Sequence, residues 1–257
     1  MEFINYQINK RVAYITLNRP EKRNALNYQL VAELKEAFSK ASKDQEAKVI
    51  VLQAEGKVFC AGADLGYLQQ LQQNTYEENL EDSLHLKELF EQIYTLDKVV
   101  IAKVHGHAIA GGCGLATVCD FVFSARESLF GYTEVRIGFV PAIVKVFLIR
   151  KIGEGRSKEL LLSGELISAG KAATYGLINE VMDPDKLDLF TDDFAQLLVE
   201  KNSRQSMALT KQMIAEVQTM SLDEGLNYAA KMNATARDSE DCKKGISSFL
   251  KKEKTSW

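Results

Sequence analysis

The chain has 257 residues, 46% of them hydrophobic and 26% charged, enough to bury a sizeable core in one large domain or a domain with an appendage. Its 32 Lys and Arg against 35 Asp and Glu give a formal net charge of −3, a balance that argues against a nucleic-acid-coating surface. No apolar run approaches the roughly 20 residues of a membrane span, and Met1-Glu2-Phe3-Ile4-Asn5 lacks the basic and apolar stretches of a signal peptide, so a cytoplasmic location is expected. Val12-Ala13-Tyr14-Ile15-Thr16-Leu17 predicts a strand, ended by Asn18-Arg19-Pro20. From Asn27, Leu30, Val31, Leu34 and Phe38 recur at helical spacing. Lys48 to Leu52 predicts a buried strand, and Phe59 to Leu65 carries small residues where backbone can approach a ligand. Tyr76 to Leu96 is amphipathic, with Leu80, Leu84, Leu89 and Ile93 as its apolar positions.

Val99 to Val104 is the next strand. His105 to Gly112 leads from it into an apolar helix, Cys113 to Cys119, followed by a strand at Asp120 to Ala125. Strands that are apolar on both faces and alternate with helices indicate an α/β domain. Beyond Asp183 the pattern is helical only: Leu187 to Leu198, Ser206 to Gln218 and Asp223 to Ala236 each carry an apolar stripe, and a lysine-rich tail follows. The division expected is an α/β core over residues 1–195 and a helical C-terminal region over 196–257.

Several chemistries lack their residues. There is no P-loop, no G-x-S-x-G elbow and no H-E-x-x-H. A dinucleotide fingerprint begun at Gly112 fails, because Thr117 stands where the third glycine belongs. His85, His105 and His107 are too few for a His-based metal site, and the alternation of the last two turns at most one toward a given pocket. Cys60, Cys113, Cys119 and Cys242 show no C-x-x-C spacing and read as reduced packing thiols. No metal is expected.

Two small-residue loops and one carboxylate remain. Ala61-Gly62-Ala63-Asp64 and Ala110-Gly111-Gly112 both read as helix openings, where unpaired N–H groups favour negative charge. Two such amides converging on one point would form an oxyanion hole; the plain alternative is that the glycines only permit tight turns. The carboxylate is Glu134, flanked by Phe130, Val135, Ile137 and Phe139. Desolvation there would raise its pKa and suit it to proton transfer, whereas the plain alternative is a surface acid paired with Arg136.

The order and spacing of several segments resemble the enoyl-CoA hydratase/isomerase (crotonase) superfamily over essentially the whole chain. The matching pieces are Asn18-Arg19-Pro20, Asn24-Ala25-Leu26-Asn27, Phe59 to Leu65, Val104 to Gly112, Cys119-Asp120, Phe130-Gly131 with Glu134, Gly138 and Pro141, Leu162 to Asn179, and Phe249 to Lys254. The resemblance implies an α/β, crotonase-type (ClpP/crotonase-like) spiral of ββα units with a C-terminal helical trimerisation region, assembled as a homotrimer or a dimer of trimers. It also implies an acyl-CoA substrate, with no cofactor beyond that coenzyme A. The N–H groups of Ala63 and Gly111 would polarise the thioester carbonyl. Arg23, Ala25, Leu26, Ala61, Asp64 and Gly114 would line the substrate, and Lys251 and Lys252 would approach CoA phosphates from the same or a neighbouring subunit. For any single lysine, a solvated tail is the plain alternative.

One departure bears on the reaction. Two-glutamate hydratases of the family carry Glu where this chain has Gly114, while the second glutamate position holds Glu134. One carboxylate suffices to move a proton between C2 and C4, which points toward isomerisation. Against that, Gly112-x-Gly114-Leu115 with Thr133 to Ala142 resembles the bacterial methylglutaconyl-CoA hydratase branch of leucine breakdown, which lacks the first glutamate. The expected order is therefore hydratase of a short or branched enoyl-CoA first, isomerase second and methylglutaconyl thioester decarboxylase third. Gly114 is expected to leave room for water or a branched acyl group. A non-catalytic acyl-CoA-binding protein would have lost both loops and Glu134, and neither is lost.

Overall fold

The computed structural model describes all residues, 1–257. The strands form two sheets. In the larger, β1 (Ile4–Asn9) and β2 (Val12–Leu17) make an antiparallel hairpin, and β2 continues in parallel through β3 (Val49–Ala54), β5 (Val99–Val104), β7 (Phe121–Ala125) and β10 (Glu180–Met182). The smaller joins β4 (Val58–Cys60), β6 (His107–Ile109) and β8 (Leu129–Gly131) in parallel, with β9 (Ile167–Ser168) antiparallel at its edge. The pairs β3/β4, β5/β6 and β7/β8 each give one strand to each sheet, the repetition that ββα units require.

Period-two alternation explains why the large-sheet strands read as continuous apolar runs. Ala13, Ile15, Leu17, Ile50, Leu52, Val100 and Ala102 face the main core, shared with helices α1 (Tyr28–Lys43), α3 (Tyr76–Thr95), α4 (Gly111–Thr117) and α5 (Val144–Ser163). Val12, Tyr14, Val49, Val51, Val99 and Ile101 face a second core under α7 (Pro184–Lys201). Short α2 (Leu65–Leu71) and α6 (Ala169–Thr174) complete the α/β part.

Three sequence expectations change. The boundary at residue 195 falls inside α7, whose Leu187, Ala195, Leu198 and Val199 pack on the sheet, so the α/β body extends to Lys201. The lysine-rich tail is itself largely helical. It follows α8 (Arg204–Val217) and α9 (Leu222–Asp238) as α10 (Glu240–Lys251), started by the Ser239 hydroxyl, which accepts the Cys242 N–H. β1, an edge strand with alternately exposed residues, and the two- or three-residue strands β4, β6, β8, β9 and β10 were not among the predicted strands.

α8 is fixed by a buried lysine. Lys211 Nζ donates to the carbonyls of Ile93 and Lys98, each at 3.0 Å, and to Asp120 Oδ2 at 2.7 Å. The same Asp120 oxygen accepts the Val100 N–H at 2.7 Å, so one carboxylate joins α8 to the sheet. No helix is long and apolar enough to cross a membrane.

Candidate active site

β4 and β6 are parallel neighbours, so the loops that follow them leave the small sheet side by side. Gly62 has φ +88°, and a Cβ built on it would lie 2.8 Å from Ala110 Cβ, 2.9 Å from Ile109 O and 3.3 Å from Gly111 N. Glycine is what lets the two small-residue loops touch. Ala110 takes a positive φ of 51°, unusual for a residue with a side chain, and its N–H donates to Gly131 O at 2.7 Å. Gly111 then opens α4, where its N–H has no intrahelical acceptor. Next to it, Leu26 and Ala63 form an isolated parallel bridge: Leu26 N–H donates to Gly62 O at 2.7 Å and Asp64 N–H to Leu26 O at 2.8 Å. The intervening Ala63 N–H donates to no protein acceptor. Two unengaged amides on touching loops are suited to an oxygen that gathers negative charge.

Glu134 begins a 3-10 turn, Glu134–Ile137, three residues after the Gly131 carbonyl that holds Ala110. The side chain is buried, and Oε2 has neither solvent access nor a hydrogen-bond partner. Burial raises its pKa above the ordinary carboxylate value, offset in part by its own backbone N–H. Arg136 pairs not with Glu134 but with Glu165, at 2.6 Å, which removes the surface-pair reading. Behind Glu134, the fully buried Tyr132 places its hydroxyl 2.8 Å from Thr117 Oγ1 on α4. Lys151 Nζ donates to the carbonyls of Thr117 and Cys119, each at 2.9 Å, and closes the far end of that helix. Nothing in the sequence pattern signalled these two clamps, because each joins residues 15 to 34 positions apart across helix–strand contacts.

The other expected site residues divide. Arg23, Ala25, Leu26 and Ala61 come together with the two loops: Ala61 N–H donates to Arg23 O at 3.1 Å, and buried Asn24 pins the segment through the carbonyls of Glu55 and Val58, each at 2.9 Å. Asp64 is beside Ala63, but its carboxylate is engaged. Oδ1 accepts the Gly66 and Tyr67 N–H groups that start α2, and Oδ2 pairs with Arg19 at 2.8 Å. Burial alone would raise the Asp64 pKa; Arg19 and those amides bring it below the ordinary value.

The space expected at Gly114 is filled. A Cβ there would meet Val144 Cγ1 at 2.2 Å and Phe90 Cε1 at 3.2 Å, so this glycine admits close helix packing and not a branched acyl group. Lys251 and Lys252 are not brought to the loops within one chain. Their helix leads to Trp257, whose main-chain oxygen accepts from Arg11 just before β2, whereas the loops adjoin the Leu17–Ala54 end of the same strands. His105 and His107 serve loop structure, bonding Gly56 O at 2.9 Å and Leu129 N at 3.2 Å. No three His, Cys, Asp or Glu side chains gather as a metal site would need.

Comparison with known proteins matches this chain, over residues 7–257, to a family described as enoyl-CoA hydratase/isomerase. A provisionally named enoyl-CoA hydratase of Thermus thermophilus is 41% identical over 241 residues, spanning 94% of this chain and 95% of that protein. The short-chain-enoyl-CoA hydratase of Clostridium acetobutylicum is 31% identical, covering 99% and 97% respectively. Among solved structures, an enoyl-CoA hydratase of Mycobacterium smegmatis superposes with a TM-score of 0.93 at 30% identity, over 99% of this chain and 98% of that one. With the same layered sheets and helical C-terminal region, this is the crotonase fold, and the chain belongs to the enoyl-CoA hydratase/isomerase family of enzymes.

Proposed function

We propose that the protein hydrates a short or branched enoyl-CoA, with 3-methylglutaconyl-CoA as the specific candidate, using Glu134 as acid/base and the Ala63 and Gly111 amides as the oxyanion hole. The observation that carries this reading is the buried, unpartnered Glu134 Oε2 in a segment bonded directly to the Gly111 loop. Both amides donate to the thioester oxygen and favour the enolate that forms when water adds at C3. Glu134 takes a proton from that water as its oxygen bonds to C3, then returns the proton to C2. One water supplies both groups added, so a single carboxylate closes the proton balance. The segment Arg23 to Leu26, pressed against the Ala61–Asp64 loop, lines the acyl-CoA chain. Leu222, Leu226, Ile246, Phe249 and Leu250, exposed on α9 and α10, support assembly as a trimer or hexamer.

Isomerisation is the second reading, and the packing at Gly114 favours it. Val144 and Phe90 leave no space for a second carboxylate, and a proton shift between C4 and C2 needs only one base. The test is to incubate the enzyme separately with crotonyl-CoA, 3-methylglutaconyl-CoA and a 3-enoyl-CoA. Water addition, seen as loss of the conjugated thioester absorbance with a 3-hydroxyacyl product, supports hydration. Conversion of the 3-enoyl to the 2-enoyl thioester without water uptake supports isomerisation, and carbon dioxide release would replace both by decarboxylation.

A further inference from the structure

We propose that the cavity at the N-terminal ends of β2, β3 and β5 binds a phosphate-bearing anion. Its volume is about 500 Å³, and Arg11, Lys48, Arg204 and Lys244 line it together with Asp97 and Asp241. These side chains come from the β1–β2 turn, the start of β3, α8 and α10. Each of the four cations holds an oxygen, and the one Arg11 holds belongs to Trp257, the residue that bears the terminal carboxylate. Lys48 Nζ donates to Val199 O at 2.6 Å, Arg11 to Trp257 O at 2.7 Å, Arg204 to Gln45 Oε1 at 3.0 Å, and Lys244 to Ser256 O. The carboxylates answer that charge only in part: Asp97 forms an ion pair with Arg204 at 3.7 Å, and Asp241, which accepts from the Ser203 hydroxyl, favours the charged form of Lys48 without outweighing its other surroundings.

Lys48 is the most constrained member. It is 1% exposed, and its ammonium carries three protons against the one acceptor it reaches. Burial first, then Arg11 and the charges of Arg204 and Lys244, outweigh Asp241 and bring its pKa down to about 8. A tetrahedral anion relieves this repulsion, since its oxygens accept from the arginine forks and the ammoniums together. The cavity is larger than a phosphate ion, and its wall includes the indole of Trp257, with Lys244 Nζ 5.6 Å from the ring centre. It lies at the opposite end of β2 and β3 from the Ala63 and Gly111 loops, about 17–20 Å away for strands of six residues, so it stands apart from the hydration site.

Trp257 is the only tryptophan of the chain, so its fluorescence reports this cavity directly. Purified full-length protein would be titrated with sodium pyrophosphate, inorganic phosphate and AMP, with potassium chloride at matched ionic strength as the control. The proposal expects a saturable fluorescence change and a calorimetric stoichiometry near one per chain for a phosphate-bearing probe, and none for chloride. Arg204→Ala with Lys244→Ala should weaken binding about tenfold or more, as loss of charged hydrogen bonds does. Lys251→Ala with Lys252→Ala should leave it unchanged. AMP binding tighter than phosphate identifies a nucleotide seated on Trp257; equal affinities identify the free anion. No saturable change at millimolar probe, an equal response to chloride, or unaltered affinity in the Arg204/Lys244 variant would overturn the proposal.

Discussion

Gly114→Ala adds one methyl group to the middle of α4, and its surroundings set the cost. The new Cβ would sit 2.2 Å from Val144 Cγ1, 2.7 Å from Val144 Cβ and 3.2 Å from Phe90 Cε1. Val144 is 4% exposed and Phe90 is fully buried, so neither can swing into water. Overpacking of this kind costs about 1–3 kcal/mol, and contacts this short place it at the upper end. Replacing a helical glycine by alanine returns about 1 kcal/mol of backbone propensity. The net is about 2 kcal/mol, or about 4–8 °C in melting temperature for a chain of this size, read by far-UV circular dichroism. In a Val144→Ala background Cγ1 is gone while Cβ remains, so the added penalty should shrink by about 1 kcal/mol. A single variant as stable as the parent, or two substitutions whose effects add to within about 0.5 kcal/mol, would refute the packing argument. The same contacts make Gly114→Glu alone unsuited to installing a second carboxylate.

Gly111→Pro removes one amide donor at the first position of α4, where proline is tolerated; turnover should fall on the order of 10²–10³-fold with an unchanged dichroism spectrum. Lys211→Ala leaves Asp120 partly buried and without its cation, and should cost about 3 kcal/mol in urea unfolding, the lower end for a broken buried pair because Asp120 retains some solvent. The raised pKa of Glu134 predicts that kcat/KM climbs with pH through an acid limb centred above the ordinary glutamate value, a limb absent from Glu134→Gln. Because the folded form holds this proton more tightly than the unfolded chain, the carboxyl's contribution to stability is full below the unfolded pKa. It declines as pH rises to the folded one, so Glu134→Gln should gain stability relative to the parent over that window.

The parts of the fold legible in the sequence are those that repeat a local pattern. Val12 to Leu17 is β2 residue for residue, and the Leu30, Val31, Leu34 and Phe38 stripe became the buried face of α1. α10 was not legible: Ile246, Phe249 and Leu250 are its exposed residues, so the lysines around them read as a solvated tail. Leu198, inside a stretch read only as an amphipathic helix, is buried in the core under α7, and Met207 packs against that core. At the site, the glycines and the isolated acid could be located, but the choice between plain and functional readings depended on neighbours distant in sequence. Arg136 is drawn away by Glu165, Gly62 meets Ala110, and Val144 fills the place beside Gly114. Side-chain volume 30 residues away leaves no periodic trace, which is why a glycine that admits packing resembled one that admits substrate.

The most direct measurement is single-substrate turnover of Glu134→Gln beside the parent enzyme, following the thioester enone absorbance with 3-methylglutaconyl-CoA and crotonyl-CoA. Glutamine keeps the reach of the side chain and removes its titratable proton. Turnover on the preferred substrate should fall about 10²–10⁴-fold while KM changes little, the signature of a lost acid/base with binding retained. Near-parental turnover of the variant on a substrate that the parent hydrates would show that another group carries the proton.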